Sequence, residues 1–439
     1  MDKRPSLVRW TILAMLFGFS FVSYLERVNI SIAAELMMPA LSLTKTQMGQ
    51  IFSSFLIGYA IFQVPGGILG DFKGPRFTLA LAALFWGITT VLTGMIPGGV
   101  VKSSAGIFFS LWIVRFLLGS AEAATYPVSA RSVRNWMPAP KRAMGNSVML
   151  AGGSLAPGLT APLFSWFMVR VGWRESFYLT SIPAFLIAIL WYWYVTDHPG
   201  QHRHVNSGEL ALIRNGESGV ELRPSFPRWR LLADRKILFL SLSYIAEGYV
   251  LFLFVFWLYI YLVDVRGFTI LKGGMVASLP WFTAVAFTPL GGISCDFISA
   301  RRGRLAGPRW VIMTGYGLSG ALLFAAAEAS SRTVAVGALC LSVGFLYFAE
   351  PAFWTTAVFL SGENAGAVSG IMNTAGIVGG ILSTSLVPVL VKHFGWLTAL
   401  SSGAAMALLC SVSWCMFGRE SPSTSHSVDI KPNASPLQP

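Results

Sequence analysis

Two stretches of this sequence put acid and base where neither is cheap. In FVSYLERVNISIAAE, Phe21 to Glu35, Glu26 and Arg27 stand side by side in a run otherwise fit for lipid. In RFLLGSAEAATYP, Arg115 and Glu122 interrupt a second such run. A charged side chain near the centre of a membrane helix costs roughly 2.5–3.5 kcal/mol on translocon scales, so it persists where it faces a protein interior or a water-filled path. Seven residues make about two helical turns, which sets Arg115 and Glu122 on one face about 10.5 Å apart along the axis. Tyr126 continues that face, Tyr24 lies three residues before Arg27, and Tyr59 and Gln63 share a face at i and i+4. Three helices thus carry polar stripes aimed at one cavity.

The residue types suggest an anion site coupled to protons. An arginine keeps its charge and grips a carboxylate through a planar fork, which nominates Arg27 and Arg115 as anion ligands. Low dielectric tightens a carboxyl group's hold on its proton and a neighbouring arginine loosens it, so an acid between the two influences can load and release a proton. Glu26 and Glu122 are placed for that work. The bland alternative is a static Glu–Arg pair that fixes helix packing, and intramembrane charge weighs against it. Glu247 and Glu350 stand outside the pattern, with no basic residue within a turn. Each could line the cavity and change the proton stoichiometry, snorkel, or pair with another helix. The aromatic run Tyr249–Leu262 is expected to face lipid and its interfaces.

The elements that position these residues are apolar helices. The chain of 439 residues is 54% hydrophobic and 12% charged, against about 25% charged in soluble proteins. Its apolar residues fall in twelve blocks near the length that crosses a bilayer: 9–33, 47–69, 76–97, 105–128, 143–168, 175–195, 237–263, 273–297, 309–329, 332–359, 366–391 and 396–417. The first is too long for a signal-peptide core and reads as retained. This predicts an all-α polytopic membrane protein with twelve transmembrane helices in two pseudo-symmetric six-helix halves. The halves are 1–195 and 237–418, joined by a cytoplasmic linker at 196–236 and followed by a disordered cytoplasmic tail at 419–439.

The net charge of +13 is a topology signal and not a nucleic-acid signal. Of 32 Lys and Arg, 22 fall on the side of the termini and 8 on the other. The positive-inside rule then places both termini in the cytoplasm of a cell (inner) membrane protein. Cys295, Cys340, Cys410 and Cys415 read as packing residues. The histidines of HPGQHRH lack companion ligands, and neither metal nor cofactor is expected. No P-loop, H-E-x-x-H or G-x-S-x-G is present, which argues against an enzyme and for an ion gradient as the energy source.

A repeat organises the halves. GGILGDF, Gly66–Phe72, closes the second block and GGISCDF, Gly291–Phe297, closes the eighth, each just after a proline and each before basic residues. Parallel repeats with a site at their interface are a common transporter plan. The aspartates and following arginines are expected to form ion pairs in a basic loop that hold one side shut: Gly67, Asp71 and Arg76 in the first copy, Asp296 and Arg301 in the second. G-G-x-x-x-D-x-x-G-x-R resembles the loop motif of the major facilitator superfamily, with Phe72 where that family usually has a basic residue.

Further motifs resemble its anion:cation symporter branch: Y-L-E-R-x-N at Tyr24–Asn29, Y-x-x-x-Q-x-P-G-G at Tyr59–Gly67, R-F-x-L-G-x-x-E at Arg115–Glu122, W-M-P-x-x-x-R at Trp136–Arg142, G-W-R at Gly172–Arg174, and S-G-I-M-N-T-A-G-I-V-G-G at Ser369–Gly380. That branch includes carriers of sugar acids, phthalate and tartrate, and sialin-like and vesicular glutamate transporters. The resemblance implies proton coupling at Glu26 and Glu122, and a substrate cavity lined by Tyr24, Arg27, Tyr59, Arg115, Trp354 and Asn373. Tyr244 falls where sugar-acid carriers often have an amide, which suggests a more aromatic or less hydroxylated substrate. The expected activity is import of a small organic anion, a sugar acid or other carboxylate, by proton symport in a monomer, with alternating access. Sodium as the coupling ion and the identity of the carboxylate stay open. Drug export is an alternative, but the G-P-x-x-G-G of exporters is absent from Gly152–Phe164; a transporter-like ligand sensor is another.

Overall fold

The structure is a computed structural model that describes residues 4–96, 100–214, 234–361 and 365–416. The expected tail and the middle of the linker lie outside the described residues. The helices are α1 (Val8–Leu41), α2 (Lys45–Met95), α3 (Ser104–Glu122), α4 (Thr125–Trp136), α5 (Arg142–Val171), α6 (Trp173–Tyr194), α7 (Ser207–Arg214), α8 (Arg235–Asp264), α9 (Ile270–Arg302), α10 (Ala306–Glu328), α11 (Arg332–Ser361) and α12 (Ala365–Met416).

Among the described residues, ten segments are long and apolar enough to cross a membrane. Two of these, α2 and α12, are each folded back at one glycine into two spans, which restores the twelve read from hydropathy. Gly74 takes φ of 79° in α2, a left-handed value open to glycine, and Gly395 takes 84° in α12. The first repeat motif therefore runs through a bent helix and not into an open basic loop. α3 and α4 form a single span, broken after Glu122 because Pro127 lacks an N–H and its ring would strike the Ala123 carbonyl.

Helices α1 to α6 pack into one group and α8 to α12 into another. Within the second group α8 and α12 run in close contact, since a Cβ on Gly248 would sit 1.8 Å from the Gly376 carbonyl oxygen. This corrects the expectation for Tyr249–Leu262. That run is buried almost throughout, because α8 is clasped by α12 and crossed by α1 and α9. Its rings pack on protein: Phe256 stacks on Phe52 at 4.7 Å and Trp257 meets the same ring edge-on at 5.5 Å.

Among the described residues, the hydrogen bonds, ion pairs and ring contacts that join the two groups cluster at the end away from the termini. Ser53 shares hydrogen bonds with Thr384 (2.7 Å) and Ser385 (2.9 Å), and Lys45 pairs with Asp264 and covers Trp396. Toward the termini the halves separate, and α2 exposes Val64 and Phe72 there. The space between the halves opens on the side of the termini.

Candidate functional site

The helix break after Glu122 turns its carboxyl toward α1, where it meets Arg27. The Arg27 guanidinium donates from Nε (3.1 Å) and Nη2 (2.5 Å) to Oε1 of Glu122. Both residues are buried, and Oε2 of Glu122 has no partner. Three rings surround the guanidinium carbon: Tyr24 at 4.4 Å, and Phe55 and Tyr59 at 5.2 Å. Tyr126, on the face predicted from Glu122, shares a hydrogen bond of 3.0 Å with Ser20 beside this cluster. The structure therefore gathers Tyr24, Arg27, Tyr59 and Glu122 as the spacing suggested.

Glu26 and Arg115 are placed differently from the expectation. Glu26 points away from Arg27; its Oε2 accepts from Thr90 (2.5 Å) and Asn29 (3.0 Å), while Oε1 is unpartnered. Arg115 is fully buried, and its fork is already taken: Nη1 donates to the Glu26 carbonyl and Nη2 to the Arg27 carbonyl, each at 3.1 Å. The expected carboxylate clamp of two arginines becomes one arginine near the cavity and one that grips the backbone of α1. No local sequence signal separates the two, because the partner carbonyls lie on another helix.

Across the cavity, Tyr244 of α8 donates to Oε1 of Glu350 on α11 at 2.8 Å, and Trp354 donates to the same oxygen at 2.7 Å. Trp354 is 39% exposed and Asn373 is half-buried, so both reach the opening. Glu247 lies one turn beyond Tyr244 on α8, its carboxylate beside Gly376. Half-buried Tyr24 lies over the Arg27 guanidinium, within electrostatic range of Glu122 on its own side and of Glu247 and Glu350 opposite. Sequence reasoning left Glu247 and Glu350 undecided, whereas the fold puts both on the cavity wall.

The gating residues also acquire partners that the motif does not show. Asp71 pairs with Arg131 of α4 and not with the basic residues that follow it. The backbone N–H of Arg76 donates to Asp197 (2.8 Å), and its Nε donates to the Tyr192 carbonyl (2.9 Å). Gly67 packs on Pro127. In the second copy Asp296 has no ion pair among the described residues, and Arg301 lies over Phe297 at 4.0 Å. Arg301 also lines a recess of about 390 Å³ with Arg302 and Trp310.

A twelve-span helical bundle in two halves, parted on one side around buried charge, is the architecture of a multi-pass membrane transporter. The model of the Major Facilitator Superfamily matches residues 16–384, and the chain belongs to that family, whose members are transporters and not enzymes. It is 31% identical to the probable sulfoacetate transporter SauU of Cupriavidus necator over 90% of each chain. It is 32% identical to the hexuronate transporter of Bacillus subtilis over 88% of each, and 30% identical to the probable galactarate/D-glucarate transporter GudP of that organism over 89% and 88%. The fold is also that of a D-xylose-proton symporter (TM-score 0.74, 17% identity, 94% and 98% covered). The inward-open xylose transporter XylE of Escherichia coli is similar at a TM-score of 0.72, with 16% identity and 94% and 97% covered.

Proposed function

We propose that this chain imports a small organic anion, a sugar acid or a related carboxylate or sulfonate, together with protons across the inner membrane, and that both termini are cytoplasmic. The observation that carries the reading is the Arg27–Glu122 pair at the foot of an opening ringed by Tyr24, Phe55 and Tyr59. The relatives named for sulfoacetate, hexuronate and galactarate or glucarate support the class of substrate, since all of these are organic anions.

The chemistry follows from competition for one guanidinium. With Glu122 ionised, Arg27 is neutralised by its own protein. A proton on Glu122 removes that counter-charge, and a substrate carboxylate takes the fork. When the proton leaves, Glu122 recaptures Arg27 and the anion is released. Arg115 positions Arg27 by holding the α1 backbone, and Glu26 balances the charge of Arg115 from the far side of α1. The side of the termini is the basic one, so the conformation described opens to the cytoplasm and is sealed outside by Ser53, Phe52 and the Lys45–Asp264 pair. Alternating access would part that seal and bring Asp71, Arg131 and the second motif copy together.

The test is uptake by purified protein in liposomes under an inward proton gradient, with glucarate, glucuronate, galactonate, tartrate, phthalate and sulfoacetate. Accumulation of at least one acid, abolished by a protonophore and indifferent to sodium, is expected. Accumulation driven by sodium alone, or outward movement of cationic dyes with no acid uptake, overturns the reading.

A further inference from the structure

The wall of the cavity built by α8 and α11 carries two carboxyl groups and no base. Glu247 is 5% exposed and makes no hydrogen bond or ion pair among the described residues. Glu350 accepts two hydrogen bonds on Oε1, from Tyr244 and Trp354, while its Oε2 is buried with no partner. Tyr244, which donates to Glu350, stands one turn from Glu247 on α8, so both carboxyls flank one ring, and the charge of Glu350 reaches Glu247. The other titratable groups that face them are Tyr244 on α8, Tyr316 on α10, Tyr347 on α11, Cys410 on α12 and Tyr24 on α1, none of which supplies a positive charge.

The charge balance of the cavity makes this arrangement informative. On the opposite wall two guanidiniums, Arg27 and Arg115, stand against two carboxyls, Glu26 and Glu122, so that cluster closes near neutrality. Glu247 and Glu350, both ionised, would leave the cavity with two uncompensated negative charges where an anion has to enter. Two carboxyls that share a site in low dielectric do not both ionise. The hydrogen bonding points the same way: Oε1 of Glu350 accepts twice, while nothing donates to the buried Oε2 beside it, the oxygen free to bear a proton.

We infer that Glu247 and Glu350, two buried carboxyls on one wall with no base, hold a proton between them as a pair, a second proton-carrying site in the C-terminal half. The buried Oε2 of Glu350, which has no partner, carries the proton; no other bond forms or breaks. The consequence for transport rests on the symport reading above: an anion enters only when the pair is neutralised, so at least one proton moves beyond that of the Glu122 switch. The pair itself does not rest on that reading and is open to direct observation.

The experiment is infrared difference spectroscopy of the purified full chain in Escherichia coli lipid vesicles at neutral pH, in H₂O and D₂O, without any substrate. Wild type, Glu247→Gln, Glu350→Gln and the double variant are compared. The wild type is expected to show a deuterium-sensitive carboxylic-acid C=O band. Each single variant should shift or weaken that band, because the other carboxyl of the pair is gone, and the double variant should lose it. Both single substitutions keep size and shape, so they decide the matter even where the double variant does not fold. A band unchanged in both single variants overturns the pair. Failure of every acid in the uptake assay with the band behaving as described would sink the anion-symport reading and leave the pair standing.

Discussion

Glu122→Gln isolates the step on which the proposed mechanism turns. In the wild type, Arg27 spends both its contacts with carboxylate on Oε1 of Glu122, at 3.1 and 2.5 Å, and is 4% exposed. An incoming anion has to displace that partner. A hydrogen bond to a charged group is worth about 1.5–3 kcal/mol against about 0.5–1.5 for a neutral one, so the glutamine competes less well by about 1–2 kcal/mol. That difference corresponds to roughly 5–30-fold tighter anion binding in the variant. The sign of the pH dependence follows from linkage. Proton binding at Glu122 and anion binding at Arg27 assist each other, so wild-type affinity rises as pH falls. The variant has lost the proton linked at Glu122, so its affinity should rise less steeply as pH falls than the wild type's, keeping only the dependence set by Glu247 and Glu350. Counterflow exchange should persist while gradient-driven accumulation falls, leaving at most the coupling carried by Glu247 and Glu350. Stability gives an independent check. Removing one member of a buried pair leaves the other charge uncompensated at a cost of about 3–5 kcal/mol, so the ligand-free variant should unfold at a lower temperature and be rescued by the anion. Titration calorimetry with whichever acid proves to be transported, across pH, is the assay. Weaker binding in Glu122→Gln, or a pH dependence equal to that of the wild type, would refute the competition between Glu122 and substrate.

Arg115→Lys replaces a fork on two carbonyls with a point charge, so one or both bonds to the α1 backbone are lost. Thermal unfolding followed by tryptophan fluorescence should show about 1–3 kcal/mol of destabilisation, with anion affinity reduced because Arg27 is no longer held. Lys45→Ala removes a partly exposed pair at the sealed end, worth roughly 0.2–1 kcal/mol. A cysteine introduced at Ser53 should then react about 1.5- to 5-fold faster with an impermeant maleimide added outside, in line with that energy. Glu209→Gln tests the junction of α7 with α1, where the buried Glu209 accepts from the backbone N–H groups of Val8 and Arg9 and from the Arg9 guanidinium. Loss of that anion at a helix N-terminus, with its ion pair, should cost about 1–3 kcal/mol and speed proteolysis within residues 196–206.

Hydropathy made the twelve spans legible because desolvating a backbone demands long apolar helices, and no packing detail is needed to see them. The same cost made Glu26, Arg27, Arg115 and Glu122 stand out. What it did not reveal was direction. Residues 26 and 27 are adjacent in sequence, yet a helix turns about 100° per residue, so one points to Thr90 and the other to Glu122. Arg115 looked equivalent to Arg27 because the carbonyls it serves lie on a different helix. Asp71 was expected to use the bases next to it, but the bend at Gly74 carries Arg76 to Asp197 and leaves Arg131, far along the chain, as the partner. The aromatic run of α8 read as lipid-facing because composition alone cannot distinguish rings that meet lipid from rings that meet α12 and α2. Glu247 and Glu350 were the least legible of all. Local sequence offers each of them no partner, and the fold supplies no base either: Glu247 is buried without a hydrogen bond among the described residues, and Glu350 is held by the hydroxyl of Tyr244 and the ring N–H of Trp354, so a counter-charge for the pair has to come from solvent as a proton.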